Sequence, residues 1–191
     1  MTIRMVAPLL VTMVLVIAGC GPEGPRDQGG AKADPVELLH ILPTPRELID
    51  ARPERNVETG EVVETALGSA DPDAAQQLTN AGVEDVAMRN WTGKRGGTMA
   101  AIVAVWPTRG VASNFALQVA QHHLDQGLSA WTPSQIPGSQ GARERADGGT
   151  RVLTRTVGPN AIIITADGPI PDATVTTAMK RLVVVQEARN E

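Results

Sequence analysis

One cysteine, one phenylalanine and no tyrosine occur in 191 residues. A single cysteine excludes an internal disulfide. With aromatics at 2% and three Trp the only other large rings, a core must be built from Val, Ile, Leu, Met and Ala. A basic run is also missing. Net charge is -4, from 17 Lys and Arg against 21 Asp and Glu, and nucleic acid, which is met by a basic face, is not an expected partner. The acidic excess lies early: residues 34–70 hold eight acids and three bases, whereas residues 71–191 hold eleven of each. What is present suits one globular domain of ordinary size, with 42% hydrophobic residues, 20% charged, and 19 Gly and 14 Pro to supply loops.

Residues 5–18 (MVAPLLVTMVLVIA) carry no charge and follow Arg4. Fourteen residues of helix reach about 21 Å at 1.5 Å per residue, short of a hydrocarbon layer about 30 Å thick. A charged start, an apolar stretch and small residues before Cys20 are the parts of a secretory signal. Ile17-Ala18-Gly19-Cys20 resembles the lipobox of bacterial lipoproteins. That resemblance implies diacylglyceryl transfer to the Cys20 sulfur, cleavage between Gly19 and Cys20, and a protein lipid-anchored on the outer face of the cell membrane. Two acyl chains hold stably where one is marginal. After the cysteine, GPEGPRDQGGAKAD has no large apolar residue to offset its ordering entropy, so residues 20–34 read as the lipidated Cys and a flexible tether.

Residues 35–70 form an acidic, partly helical lead-in. Pro35–Leu42 fits a short helix or an extended packed segment; Pro45–Asp50 fits a helix of one or two turns with proline first; residues 51–60 read as loop; Glu61–Leu67 fits a short helix ending at Gly68. An α+β domain is expected over 71–191. Asp71, Pro72 and Gly82 punctuate a helix near 72–80. Residues 83–91 and 98–106 flank the glycine-rich stretch 92–97 as a hairpin. The second strand is apolar on both alternating sets, which predicts a central strand covered on both faces. Helical spacing predicts a helix over 111–126 closed by Gly127 and another over 173–188 capped by Asp172. Residues 151–157 and 161–166 form a second hairpin, and short strands fit near 129–132 and 142–146. Hairpins with helices between them predict a mainly antiparallel sheet with helices on one face.

From residue 76 onward, Leu78-Thr79-Asn80-Ala81-Gly82-Val83, the strand ending in Trp91, the glycine turn, the apolar strand, the 111–126 helix, Pro137-Gly138, the Ile162–Thr165 strand and a terminal helix come in an order similar to exported lipoproteins of high-GC Gram-positive bacteria. Those proteins carry a PsbP/Mog1-like sandwich (LpqN/LpqT-type). The resemblance implies a non-enzymatic interaction or accessory domain at the cell envelope and no catalytic residues, and it leaves segment 35–70 unexplained.

Few side chains suggest chemistry. His122 and His123 are adjacent and therefore diverge on a helix, His40 is remote, and zinc asks for about four ligands; a hydrogen-bonded, partly buried imidazole is expected at His123. The Gly93–Gly97 stretch lacks the order of a phosphate loop. Asp71 and Asp73 suit a helix start, and with Glu84 and Asp85 they lack the spacing of a calcium loop. Ser113, Ser129, Ser134 and Ser139 have no nucleophile-elbow surroundings. No catalytic residue, metal or cofactor is therefore expected. Trp91, Trp106 and Trp131 are expected in the core, with at least one a candidate to line a partner or ligand groove. The functions to weigh are an anchored module that binds an envelope protein, a carrier or sensor holding an apolar ligand between sheet and helices, and, last, an envelope hydrolase.

Overall fold

A computed structural model describes residues 30–49, 51–144 and 148–190. The expected hairpins are its centre. β3 (Asp85–Gly93) turns through the glycine-rich tip into β4 (Thr98–Val105), and β7 (Arg151–Val157) turns at residues 158–159 into β8 (Asn160–Asp167). β4 and β8 lie side by side, antiparallel from Thr98↔Asp167 to Val105↔Asn160. β6 (Gln140–Arg143) and β5 (Ser129–Ala130) extend one edge, while β1 (Leu48–Ile49) and β2 (Glu54–Arg55) both pair with β3 at the other. The sheet order is β1-β3-β4-β8-β7-β6-β5, and every pair of named strands is antiparallel among the described residues.

The expected α+β class holds, but the helices cover both faces of the sheet rather than one. α1 (Pro35–His40) and α5 (Asp172–Ala188) lie on one face, where Leu38, Leu39, Met179 and Leu182 share a core with Val103, Leu153, Ile162 and Ile164. α2 (Thr59–Leu67), α3 (Pro72–Asn80) and α4 (Arg109–Asp125) lie on the other, where Val62, Val63, Ala112, Ala116 and Val119 meet Met88, Ile102 and Ile163. The reason is in the strands themselves. Successive side chains point to opposite faces, and β4 and β8 are aliphatic on both alternating sets, so neither face can be left wet. Burying one such Ile or Leu stabilises by about 1.5–3 kcal/mol.

The segment 35–70 is not a lead-in. It supplies two helices, two strands and part of both cores, so a division at residue 71 does not follow the packing. The helix expected over 45–50 does not form at 45–49: residues 46–47 turn into β1, which pairs with the hairpin tip through Leu48↔Gly93. Part of the expected loop 51–60 is strand β2. Where the caps are strong, boundaries match. Asp71 accepts from the Ala74 N–H at 3.0 Å, and Gly68 closes α2 in the left-handed conformation. Asp172 is the first residue of α5 rather than its cap; Pro171 stands there, and the Asp172 carboxylate pairs instead with Arg143 and Arg151.

Candidate functional site

Gly19 and Cys20, the expected cleavage and lipidation positions, lie outside the described residues. The last part of the expected tether does not. Residues 31–33 are tied down by three polar side chains from distant parts of the chain. Asn160, fully buried, accepts from the Ala33 N–H at 3.0 Å and donates to the Ala31 carbonyl at 3.0 Å. Gln186 donates to that same carbonyl at 2.7 Å, and the Ala31 N–H donates to Asn190 at 2.6 Å. Lys32 pairs with Glu84 at 2.6 Å, and Asp34 caps α1. The Arg55 guanidinium beside Asp34 holds its carboxyl below the usual range, with the Glu37 and Val36 N–H groups adding to the effect. The chain thus enters the fold at a fixed point beside the β7–β8 turn and the end of α5.

The three tryptophans do not line a groove. Trp91, Trp106 and Trp131 are 2%, 1% and 8% exposed. Trp106 packs on Phe115 with ring centroids 5.2 Å apart, the Arg89 guanidinium lies 4.8 Å over Trp91, and Arg143 lies 5.7 Å over Trp131. In a chain with so few rings, the layers claim all three. At the centre of the sheet the layers are close-packed. Ile102, Ile163 and Val119 on one side, and Leu153, Ile162 and Leu182 on the other, have no accessible surface, and a hollow wide enough for water would give its walls some.

A cleft does open at the side of the molecule, between α4 and β5–β6, with a volume of about 670 Å³. Leu117, Ala120 and Leu124 give it an apolar wall, and Gln118, Gln140 and the backbone of Gly138–Gly141 give it amides. Leu117 is 42% exposed there. No ionisable side chain lines the cleft, so it offers an apolar wall and neutral amides. The sequence pattern did not reveal it, because the loop 131–139 that closes it has no periodicity.

His123, Glu84 and Ser139 among the side chains singled out make structural bonds. His123 is 3% exposed and donates from Nε2 to the Ala66 carbonyl, an otherwise unmatched group in the last turn of α2, at 2.9 Å. Its Nδ1 is buried without a partner, so protonation would bury a second donor. Desolvation pushes its pKa down, against the opposing pull of the Ala66 carbonyl, and His122 adds to the depression. The folded state therefore favours the neutral ring. Stability from this group is complete above the unfolded value of about 6.5 and declines as pH falls below it. Urea midpoints at pH 7.5 and 5.5 should show that decline, and His123→Gln should reduce it; an unchanged decline in the variant counts against the assignment. Glu84 serves Lys32, Ser139 donates to the Ile136 carbonyl at 2.7 Å, and Gly93–Gly97 forms the hairpin tip. Among the described residues no three of His, Cys, Asp and Glu converge, and no helix is long and apolar enough to cross a membrane.

No family model matches the chain, and no curated protein matches it. Among solved structures, the extracellular domain of PknH from Mycobacterium tuberculosis is similar at a TM-score of 0.47 and 9% identity, over 74% of this chain and 81% of that one.

Proposed function

We propose that this chain is an envelope lipoprotein, cleaved before Cys20 and held by lipid on that sulfur, whose folded part acts by binding rather than by catalysis. The observation that carries the anchor is the uncharged stretch 5–18 running into Ile17-Ala18-Gly19-Cys20. The fixed entry at Ala31–Ala33 is consistent with it: Gly30 lies ten steps along the chain from Cys20, a span of at most about 36 Å, so the fold would stay near the membrane. The binding role is supported by the neutral cleft beside α4, and by the commitment of His123, Asp34, Asp71 and Glu84 to structural bonds.

Cys20→Ala should lose incorporated fatty acid entirely and shift the chain from the membrane to the soluble fraction. Undiminished labelling of the variant would refute the anchor. In cells bearing the anchored chain, crosslinking should give discrete adducts that require the fold; adducts no stronger than background count against the binding role.

A further inference from the structure

We propose that the pocket at the tip of the β3–β4 hairpin, walled by Arg46, Lys94 and Arg95, binds a phosphoryl anion. Three segments remote in sequence, residues 46–47, 93–96 and 169–171, enclose about 430 Å³ there. The backbone at 46–47 and 93–97 is held before any ligand arrives, while the Arg46 and Arg95 side chains stand exposed. The Lys94 N–H donates to the Glu47 carbonyl at 2.8 Å, and its ammonium donates to the Arg46 carbonyl at 2.7 Å. The tip is closed by Gly93 N–H to the Gly97 carbonyl at 2.9 Å and Gly96 N–H to the Gly93 carbonyl at 3.1 Å. A backbone frame built in advance spends little binding energy on ordering itself.

The charge in this pocket runs against the rest of the molecule. On a chain of net charge -4, its walls hold three cations and one carboxylate, Glu47, which accepts the Thr174 hydroxyl. Lys32, Arg55, Arg143, Arg155 and Arg189 each have an acid beside them. Arg46, Lys94 and Arg95 have none among the described residues. Arg109, Lys180 and Arg181 are also unpaired but line no such pocket. Two guanidinium forks suit the planar, multiple acceptor edges of phosphate. A wall charge of +2, three cations less one carboxylate, balances a phosphate monoester of about -1.5 to -2 better than a lone carboxylate.

The pocket lies at the end of the sheet opposite the point where the chain enters. Ala33 is bonded at Asn160, the first residue of β8, whereas Pro169 follows the last, a separation of about 25 Å at about 3.4 Å per residue. The site rests on this fold and not on lipid at Cys20, so either proposal can fail without the other.

The test is a titration of the full chain in nonionic detergent with inorganic phosphate at constant ionic strength, read by backbone amide shifts. Saturable shifts are expected at residues 93–96 and 171–174, with acetate weaker by about tenfold or more. The double variant Arg46→Gln, Arg95→Gln should weaken phosphate by about tenfold, and Lys180→Gln should change nothing; all three cations are exposed, so the variants should keep the circular dichroism of the parent. Absence of saturable shifts, equal affinity for acetate, or an unchanged double variant overturns the proposal. A second arm identifies the source. Shifts produced by phosphatidic acid nanodiscs without added phosphate assign the group to a lipid headgroup; shifts produced by free phosphate alone assign it to a soluble or polymer-borne phosphate.

Discussion

Arg89→Met should lower stability by about 4 kcal/mol, a fall in melting temperature of about 8–16 °C for a chain of this length. Arg89 sits in the middle of β3 and is only 6% exposed. Its guanidinium donates to the Leu39 carbonyl at 3.0 Å, the Leu42 carbonyl at 2.7 Å, the Ala51 carbonyl at 2.6 Å and the Thr44 hydroxyl at 3.3 Å. One side chain thus gathers the end of α1 and the irregular stretch 41–47, where Pro43 and Pro45 prevent regular hydrogen bonding, onto a sheet edge. Methionine fills similar volume and keeps some contact with Trp91, but leaves those carbonyls buried without a donor. Each bond to a charged donor is worth about 1.5–3 kcal/mol, and the orphaned acceptors carry the cost. Lysine should recover only part of the loss, because one ammonium cannot span four acceptors that face a planar fork. Thermal unfolding checks the magnitude, and hydrogen exchange checks the place: amides of residues 39–51 should lose protection ahead of β4 and β8. A loss under about 1 kcal/mol would mean that apolar packing alone holds the segment.

Arg89 also shows where sequence reading ran out. In β3 it is a charged residue between Met88 and Asn90, and period-two alternation cannot tell a solvated arginine from one buried under a returning loop. The carbonyls that justify it come from 38 to 50 residues away. Asn160 is the same kind of case: read as part of a turn, it is the fully buried residue that ties down Ala31 and Ala33. Elements whose cause is local were legible. The 72–80 helix has its Asp cap and first-turn proline, and the two hairpins have long aliphatic strands around glycine. β1 and β2 have two residues each; they exist because β3 offers them a ladder, and no pattern announced them, whereas the short strand expected near 129–132 is present as β5. The placement of helices on one face conflicted with the two-faced burial expected for strand 98–106, which the structure shows. Strands 98–105 and 160–167, apolar on both sets, require two covers, and α1 in the acidic segment is part of one. The three tryptophans lie in the core as expected, because in a chain with so few large rings the layers gain most by burying them.

Gly97→Ala should cost about 3 kcal/mol, and Gly96→Ala about 1 kcal/mol, although the two residues are neighbours with nearly the same backbone. Both have positive φ, 84° and 89°, so both lose the freedom that only glycine has there. The difference is space. A Cβ on Gly96 meets nothing within 4 Å. A Cβ on Gly97 would sit well inside contact distance of the Asp167 carbonyl oxygen, 3.1 Å from the Gly168 Cα and 3.2 Å from Pro169 Cδ. The obstacle is mainly backbone, which no rotamer change can move aside. The variant must push the β3–β4 tip away from the link between β8 and α5, weakening Thr98↔Asp167 pairing at the end of the central strands. That displacement separates Lys94 and Arg95 from the Pro169–Pro171 wall of the proposed phosphoryl pocket. Gly97→Ala should therefore lose phosphate affinity as well as stability, while Gly96→Ala keeps the affinity. Equal denaturation midpoints for the two variants would show that left-handed strain alone governs the tip and that the backbone approach at Gly168 is not needed to hold it.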